Sequence, residues 1–418
     1  DGTRRRPIRV HGLPGPAEAV LAARGVAHQS VSGPPRSVDL DDVDVIVGSP
    51  QAFAKSERLE DLDSWIRRGG GMLVTETAWG VLQLNPALTI DTLAANELLE
   101  PAGVRFTTAA SSPFGDAGDY PVDRSILPLG NADLSLAVLA GEREGDMALA
   151  ARVVGGAFAS IPLDAPVIRR AERVEREQRD RLDEAYRSMA ARRITPANDP
   201  LARAMIDLDS RRSQELPPRR LEAHASSVAF PGPVGSARAG RVRLEIDSGT
   251  PGWHSTGLYA PPGEVIRVRV PDALVGVGAH VQVGAWRDPH RHAHRSRMPR
   301  ALRRFPVDNS EIEVGSSIGG PIYVDLPVEF ATDRAASDDD SSLVVEVIGA
   351  AGAPHYRHGV TDLEEWRTSI RDFEAPWAEL ESDELIFTVP SGVVRTLDRP
   401  DLVMEHWDRV HEAMQSLE

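Results

Sequence analysis

Gly252-Trp253-His254-Ser255-Thr256-Gly257-Leu258-Tyr259-Ala260-Pro261-Pro262-Gly263-Glu264-Val265-Ile266 is the stretch on which the reading of this chain turns. On both sides of it the hydrophobic period is two. Val242, Leu244 and Ile246 alternate with Arg241, Arg243, Glu245 and Asp247, and Val268 and Val270 alternate with Arg267 and Arg269. Alternation of this kind between Gly and Pro turns predicts short strands with one buried face. Val281 with Val283, Ile322-Tyr323-Val324, and Leu343 to Ile348 extend the set. Together they predict an antiparallel β-sandwich over residues 229–350.

Upstream the rhythm changes. Ile8 to Val10 is a short apolar strand, Gly12 to Gly15 a turn and Pro16 to Arg24 a helix. Val43 to Val47 is a second strand, stopped by Gly48 and Pro50. Glu57 to Arg68 has helical spacing at Leu59, Leu62 and Ile66. Gly69-Gly70-Gly71 ends it before the strand Met72-Leu73-Val74. Strand–helix–strand order predicts a parallel sheet with helices on its faces, in a domain over residues 1–150. Residues 151–228 read as a helical connector. Val167, Ala171, Val174, Leu182, Tyr186 and Met189 mark one long, charged amphipathic helix, and Pro200 to Leu216 a second. Composition shifts near Gly145 and Pro231 suggest units joined by exposed segments, and proteases are expected to cut first between Ile194 and Pro218 or in the acidic stretch Asp333 to Ser342.

After residue 350 helical patterns return. Asp362 to Phe373 is one helix and Leu385 to Pro390 a strand. Pro400 opens a last helix whose stripe is Val403, Trp407, Val410, Met414 and Leu417.

A chain of 418 residues is long enough for several cores. A net charge of −16 repels nucleic acid and anionic membrane on average, so neither is an expected partner. No apolar run reaches membrane-spanning length. The absence of cysteine excludes disulfides, thiol catalysis and thiolate metal sites. Oligomeric state is not readable from the sequence.

The run at Gly252–Ile266 resembles the opening motif of the enhancin-like zinc metallopeptidases, gluzincins with mucin-degrading members. Gly319-Gly320-Pro321-Ile322-Tyr323-Val324 is similar to that family's G-G-x-I-Y-[IV] strand. Ala375-Pro376-Trp377-Ala378-Glu379-Leu380 and Thr388-Val389-Pro390-Ser391 resemble segments just upstream of its catalytic helix. Trp65 to Val74, Ala78-Trp79-Gly80, Leu82 to Pro86 and Asn96 to Gly103 resemble the amidotransferase-like domain placed ahead of many such peptidases. The same domain occurs in the TRP-channel-associated factors of animals. The resemblance implies a multidomain α/β plus all-β chain: amidotransferase-like domain, helical connector, β-sandwich, and from residue 351 the start of an α-rich gluzincin catalytic domain. It implies an extracellular or cell-surface protein acting on glycoproteins such as mucins, with zinc as the cofactor of a full-length member. The alternative is a non-catalytic glycan- or protein-binding scaffold of the same architecture.

A gluzincin needs two His one helical turn apart, a Glu beside the first, and a further acidic ligand. H-E-x-x-H is absent here. His411-Glu412-Ala413-Met414-Gln415 ends in Gln, and His406 and His411 stand about 140° apart around a helix. His290, His292 and His294 alternate, but Arg287, Arg291, Arg295 and Arg297 crowd them, and an exposed basic loop is the plainer reading. An amidotransferase needs a nucleophilic Cys, and no Ser replaces it in a G-x-S-x-G elbow; Gly48-Ser49-Pro50 lacks the glycines. Gly12 to Gly15 is a plain turn before it is a phosphate cradle. Trp253, Tyr259, Trp286, Trp366, Trp377 and Trp407 read first as core residues, with Trp286 the best placed to stack on a sugar. No catalytic or metal-binding set is predicted in this chain, and its binding residues are not identified.

Overall fold

The computed structural model describes residues 6–55, 57–85, 87–107, 130–287, 294–336 and 342–416. They fall into two compact units, residues 1–135 with 152–165, and residues 136–151 with 166–418.

The first unit is built on four parallel strands, β1 Ile8–His11, β2 His28–Val31, β3 Val45–Gly48 and β4 Gly71–Val74, in the order β2-β1-β3-β4. Helix α1 Gly15–Ala23 connects β1 to β2; α2 Gln51–Ala54 and α3 Leu59–Arg67 connect β3 to β4. Ile46, Phe53, Leu62, Trp65 and Leu98 form the core between sheet and helices. Trp65 lies against Gly70, where a Cβ would come within 2.3 Å of the indole. Its Nε1 donates to the Val43 carbonyl at 3.3 Å. Helices α4 Ala78–Leu84 and α5 Ala94–Leu99 follow.

Helices α6 Ala132–Leu139 and α7 Met147–Phe158 lead to the connector. The single long helix expected there is two, α8 Pro166–Glu177 and α9 Arg179–Arg192, with Gln178 off helical geometry at φ −109° and ψ 15°. The buried face of α8 runs through Ile168, Ala171 and Val174, not Val167. Helix α10 Pro200–Glu215 starts on a proline, which has no N–H to lose at a first turn. It is no exposed joint: nine of its residues are buried, Leu201, Met205, Ile206 and Leu208 among them.

The sandwich forms as the alternation predicts. One sheet is β10-β7-β12-β5 and the other β13-β6-β11-β8-β9. The strands are β5 Arg241–Asp247, β6 Gly252–Ala260, β7 Ile266–Arg269, β8 His280–Arg287, β9 Arg300–Pro306, β10 Glu311–Val314, β11 Gly320–Leu326, β12 Ser342–Ile348 and the two-residue β13 Ala351–Gly352. Helix α11 Val328–Ala335 precedes β12. Ile266, Val268, Val281, Val283, Ile322, Val324, Val345 and Val347 meet between the sheets. Each such side chain stabilises by about 1.5–3 kcal/mol over its exposed state.

Residues after 351 are not purely helical. They open with a three-stranded sheet, β14 His355–Arg357, β15 Trp377–Glu381 and β16 Ile386–Pro390. Strand β14 runs parallel to β15, and β16 antiparallel. The helix expected over 362–373 is shorter: Asp362 caps α12 Leu363–Thr368 by accepting from the Glu364 and Glu365 N–H groups, and a 3₁₀ turn follows. Helix α13 Ser391–Val394 precedes α14 Pro400–Gln415. Met404, absent from the predicted stripe, is the side chain of α14 that is fully buried beside half-buried Val403. Trp407 and Met414 are exposed, and Leu417 lies outside the described residues. No helix among the described residues is long and apolar enough to cross a membrane.

Candidate functional site

Four of the motifs single out one place. Ser255 of β6 stands directly across from Tyr323 of β11, and Glu379 of β15 directly across from Thr388 of β16. The two cross-strand pairs, from two different sheets, face each other around one carboxylate. The Tyr323 hydroxyl donates to Glu379 Oε1 at 2.5 Å, Thr388 donates to the same oxygen at 3.3 Å, and Ser255 donates to Oε2. The Ser255 oxygen also accepts from the Gly257 N–H at 3.2 Å, which leaves its proton for Glu379.

Glu379 is 2% exposed and Tyr323 fully buried. Burial pushes the Glu379 carboxyl above the ordinary carboxylate range; nearby His355 and the Ser255 and Tyr323 hydroxyls pull it down without cancelling that push. Burial, then the charge of Glu379, pushes the Tyr323 hydroxyl up. His355 is the β14 residue paired with Glu379, and its Nε2 lies 2.5 Å from Glu381. Nothing larger than Gly fits at 257, where a Cβ would meet His355 Nδ1 at 2.8 Å. A carboxylate this enclosed, with three hydroxyls on it, is placed to hold two sheets together. It has no open side for a substrate.

The aromatic residues assemble beside it. Trp377 packs 4.5 Å from Trp286 and 5.7 Å from Phe230, and its Nε1 donates to the Pro231 carbonyl at 2.9 Å. Phe230 meets Trp286 edge-on at 5.3 Å, and Arg297 lies over Phe230. Trp286 is therefore a partner in a cluster, not an isolated ring on a loop. Trp366 and Tyr259 are fully buried; the Trp366 Nε1 reaches the Leu397 carbonyl, while the Tyr259 hydroxyl has no partner among the described residues. Trp253, 43% exposed, leans on Tyr323 at 5.1 Å, and Trp407 leans on Phe387.

Other predicted candidates stay apart. His290 and His292 lie outside the described residues. Beyond them Arg295 is fixed to Ile194 by two backbone hydrogen bonds and to Asp207 at 3.4 Å. His411 Nδ1 stands 3.2 Å from Glu384, and His406 packs on Trp407. Ser49 donates to Glu76 at 2.5 Å, with no histidine bonded to it among the described residues. The described residues hold no group of three or more His, Cys, Asp or Glu suited to a metal ion.

A second buried cluster carried no sequence signal. Asp209 of α10 accepts from Tyr186 at 3.0 Å and lies 3.3 Å from His224 Nε2 and from Arg212. Arg212 also reaches Glu175 at 2.7 Å, and the group borders a cavity of about 450 Å³. Burial raises the Asp209 carboxyl, but His224 and Arg212 outweigh it and hold it below the ordinary value.

Residues 235–335 match the model of the N-terminal domain of M60-like peptidases, and residues 349–418 that of Peptidase M60, enhancin and enhancin-like. Among curated relatives, human TRPM8 channel-associated factor 1 is 28% identical over 374 residues, 86% of this chain and 39% of that protein. A Xenopus laevis homolog of that factor is 36% identical over 180 residues, 42% of this chain and 19% of that protein. The chain thus spans about two fifths of the length of the first of these relatives. Of solved structures, the IMPa metallopeptidase from Pseudomonas aeruginosa is similar at a TM-score of 0.37 and 14% identity, over 97% of this chain and 49% of that one. The ZmpB metallopeptidase from Clostridium perfringens is similar at 0.31 and 16%, over 42% and 41%.

Proposed function

We propose, on the premise that residues 235–335 and 349–418 are M60-like, enhancin-like peptidase sequence, that this chain is the non-catalytic N-terminal portion of a secreted or cell-surface metallopeptidase directed at glycoproteins such as mucins. The observation that carries this reading is the Glu379 centre. It joins the first matched segment, through Ser255 and Tyr323, to the second, through Glu379 and Thr388. The sandwich is a rigid mount for the start of a peptidase region. Residues 1–150 serve as an amidotransferase-like scaffold whose chemistry is lost, and 151–228 as the helical connector. The sandwich occupies 229–350 and the peptidase region opens at 351.

The residues present do not fit zinc. The sequence lacks H-E-x-x-H, and the described residues lack a three-ligand group. No catalytic step is therefore assigned here, and glycoprotein or glycan is a partner to bind. The test is metal analysis of the dialysed chain with digestion of submaxillary mucin, with and without chelator. Substoichiometric zinc and no chelator-sensitive cleavage are expected. One zinc per chain with cleavage that a chelator stops would overturn the reading.

A second reading, a binding scaffold, is supported by the alignment to channel-associated factors over 86% of the chain. The coding sequence after Glu418 separates the two. H-E-x-x-H with a later Glu favours the peptidase, and a stop codon favours the scaffold.

A further inference from the structure

A cavity of about 750 Å³ opens where β5 and the two-residue β13 end the two sheets of the sandwich. Val242 and Leu244 of β5, Leu258 of β6 and Ala353 give it an apolar wall. Segment 365–375 adds Ile370 and Phe373 to the lining. Phe373 is 41% exposed, and its ring lies on Gly352, where a Cβ would stand 3.2 Å from it. The same segment places Glu365, Asp372 and Glu374 on the lining.

The charge around this space is negative. Glu365 and Glu374 have no ion pair among the described residues. Asp372 is 3.8 Å from Arg395. The two basic side chains on the lining are already held. Arg238 is bonded to Glu264 and to the Gly235 and Ala237 carbonyls, and His355 to Glu381.

Size, wall and charge together restrict the occupant. The volume is that of a small-molecule site, in which an apolar lining carries a few polar groups that fix orientation. Apolar wall and carboxyl groups border one space, so a compact molecule meets both. An alternating strand would turn its two sets of side chains to opposite faces and reach only one of them. A sugar would set hydroxyls against Val242, Leu244 and Leu258 with nothing there to bond. A fatty acid would bring its carboxylate to Glu365 and Glu374, and like charges repel. An ammonium group is attracted to carboxylates and to the face of an aromatic ring such as Phe373. We propose that this cavity binds a small amphipathic amine, with its apolar body on Val242, Leu244, Leu258 and Phe373 and its ammonium group turned to the Glu365 and Glu374 carboxylates. The proposal is independent of whether the chain belongs to a peptidase or a scaffold.

The probe is para-fluorophenylbutylamine, titrated with the whole chain and followed by fluorine NMR line broadening. Comparators are the alcohol and the carboxylic acid with the same fluorophenyl chain, which differ from it only at the terminal group. Saturable binding of the amine below about 1 mM is expected. The alcohol should bind about fivefold more weakly and the carboxylate about tenfold or more. The double variant E365Q/E374Q, exposed at both positions, should bring the amine down to the affinity of the alcohol and leave the alcohol unchanged. Phe373→Ala should weaken amine and alcohol alike, by about fivefold. Circular dichroism of both variants should match the parent. No saturable binding of the amine at about 1 mM, or a carboxylate that binds as well as the amine, overturns the proposal. So does a preference for the amine that survives E365Q/E374Q, or binding indifferent to Phe373→Ala.

Discussion

Replacing Tyr323 with Phe removes one hydroxyl and leaves the ring. That hydroxyl donates to Glu379 at 2.5 Å, and no water takes its place beside a carboxylate that is 2% exposed. A hydrogen bond to a charged group contributes about 1.5–3 kcal/mol, so Tyr323→Phe should cost about 2 kcal/mol at neutral pH. Thr388 at 3.3 Å and Ser255 stay on the carboxylate and keep the loss from growing. The pH dependence follows from the sign of the shift. Burial raises the folded carboxyl above the ordinary carboxylate range. Its contribution is therefore fully present below the unfolded pKa and lost as pH rises through the folded one. Losing a donor to the anion raises the folded value further. The Tyr323→Phe cost should thus be larger at pH 7.5 than at pH 4. Glu379→Gln, which removes the charge and keeps the shape, should gain relative to the parent over the same rise. Native-state hydrogen exchange read by mass spectrometry at β15 and β16 measures both, and about 2 kcal/mol appears as about a 30-fold faster exchange. Unchanged exchange in Tyr323→Phe, or a cost larger at pH 4 than at pH 7.5, would refute the reasoning.

Trp377→Ala removes a ring packed on Trp286 and Phe230 together with the bond to the Pro231 carbonyl, and should cost about 3–5 kcal/mol with loss of near-ultraviolet dichroism. Asp209→Asn should cost about 2 kcal/mol at pH 7 in urea unfolding, because a depressed carboxyl stabilises above its unfolded pKa, and the cost should shrink as pH falls below 4. Gly70→Ala forces a methyl group onto the Trp65 indole and should lower the melting of the first unit by about 1–3 kcal/mol in calorimetry.

Strands β5 and β7, which alternate apolar with charged residues, and the apolar-rich β11 and β12 were legible because their apolar residues are the ones that fill the sandwich core. Strand β2 was not, since His28-Gln29-Ser30-Val31 has no buried face to leave a pattern. The break between α8 and α9 was hidden for another reason: Gln178 is a good helix former, and only its backbone angles show the turn. The Glu379 centre was half-visible. Tyr323 and Glu379 each stand among the apolar residues of their motifs, as Ile322-Tyr323-Val324 and Ala378-Glu379-Leu380. A polar residue inside a buried run is a signal, since burial without a partner is costly. Which partners answer it depends on strand registers separated by 56 and 124 residues, and no local pattern records those. Asp209 was illegible because Tyr186, Arg212 and His224 are ordinary residues on amphipathic segments.

The pairing of two cross-strand couples around one buried carboxylate bears on how such chains can recombine. A chimera taking its sandwich from one parent and its continuation after residue 349 from another cuts between Tyr323 and Glu379. Ser255 and Tyr323 would then come from one ancestor, and Glu379 with Thr388 from the other. A hydroxyl without the carboxylate is orphaned in a dry interior, and the carboxylate without Ser255 and Tyr323 keeps only Thr388; each unpaired group costs about 1–3 kcal/mol, a large share of the roughly 5–15 kcal/mol by which a domain is stable. A crossover between Ser255 and Thr388 is therefore expected to keep its stability only where both parents carry all four of Ser255, Tyr323, Glu379 and Thr388.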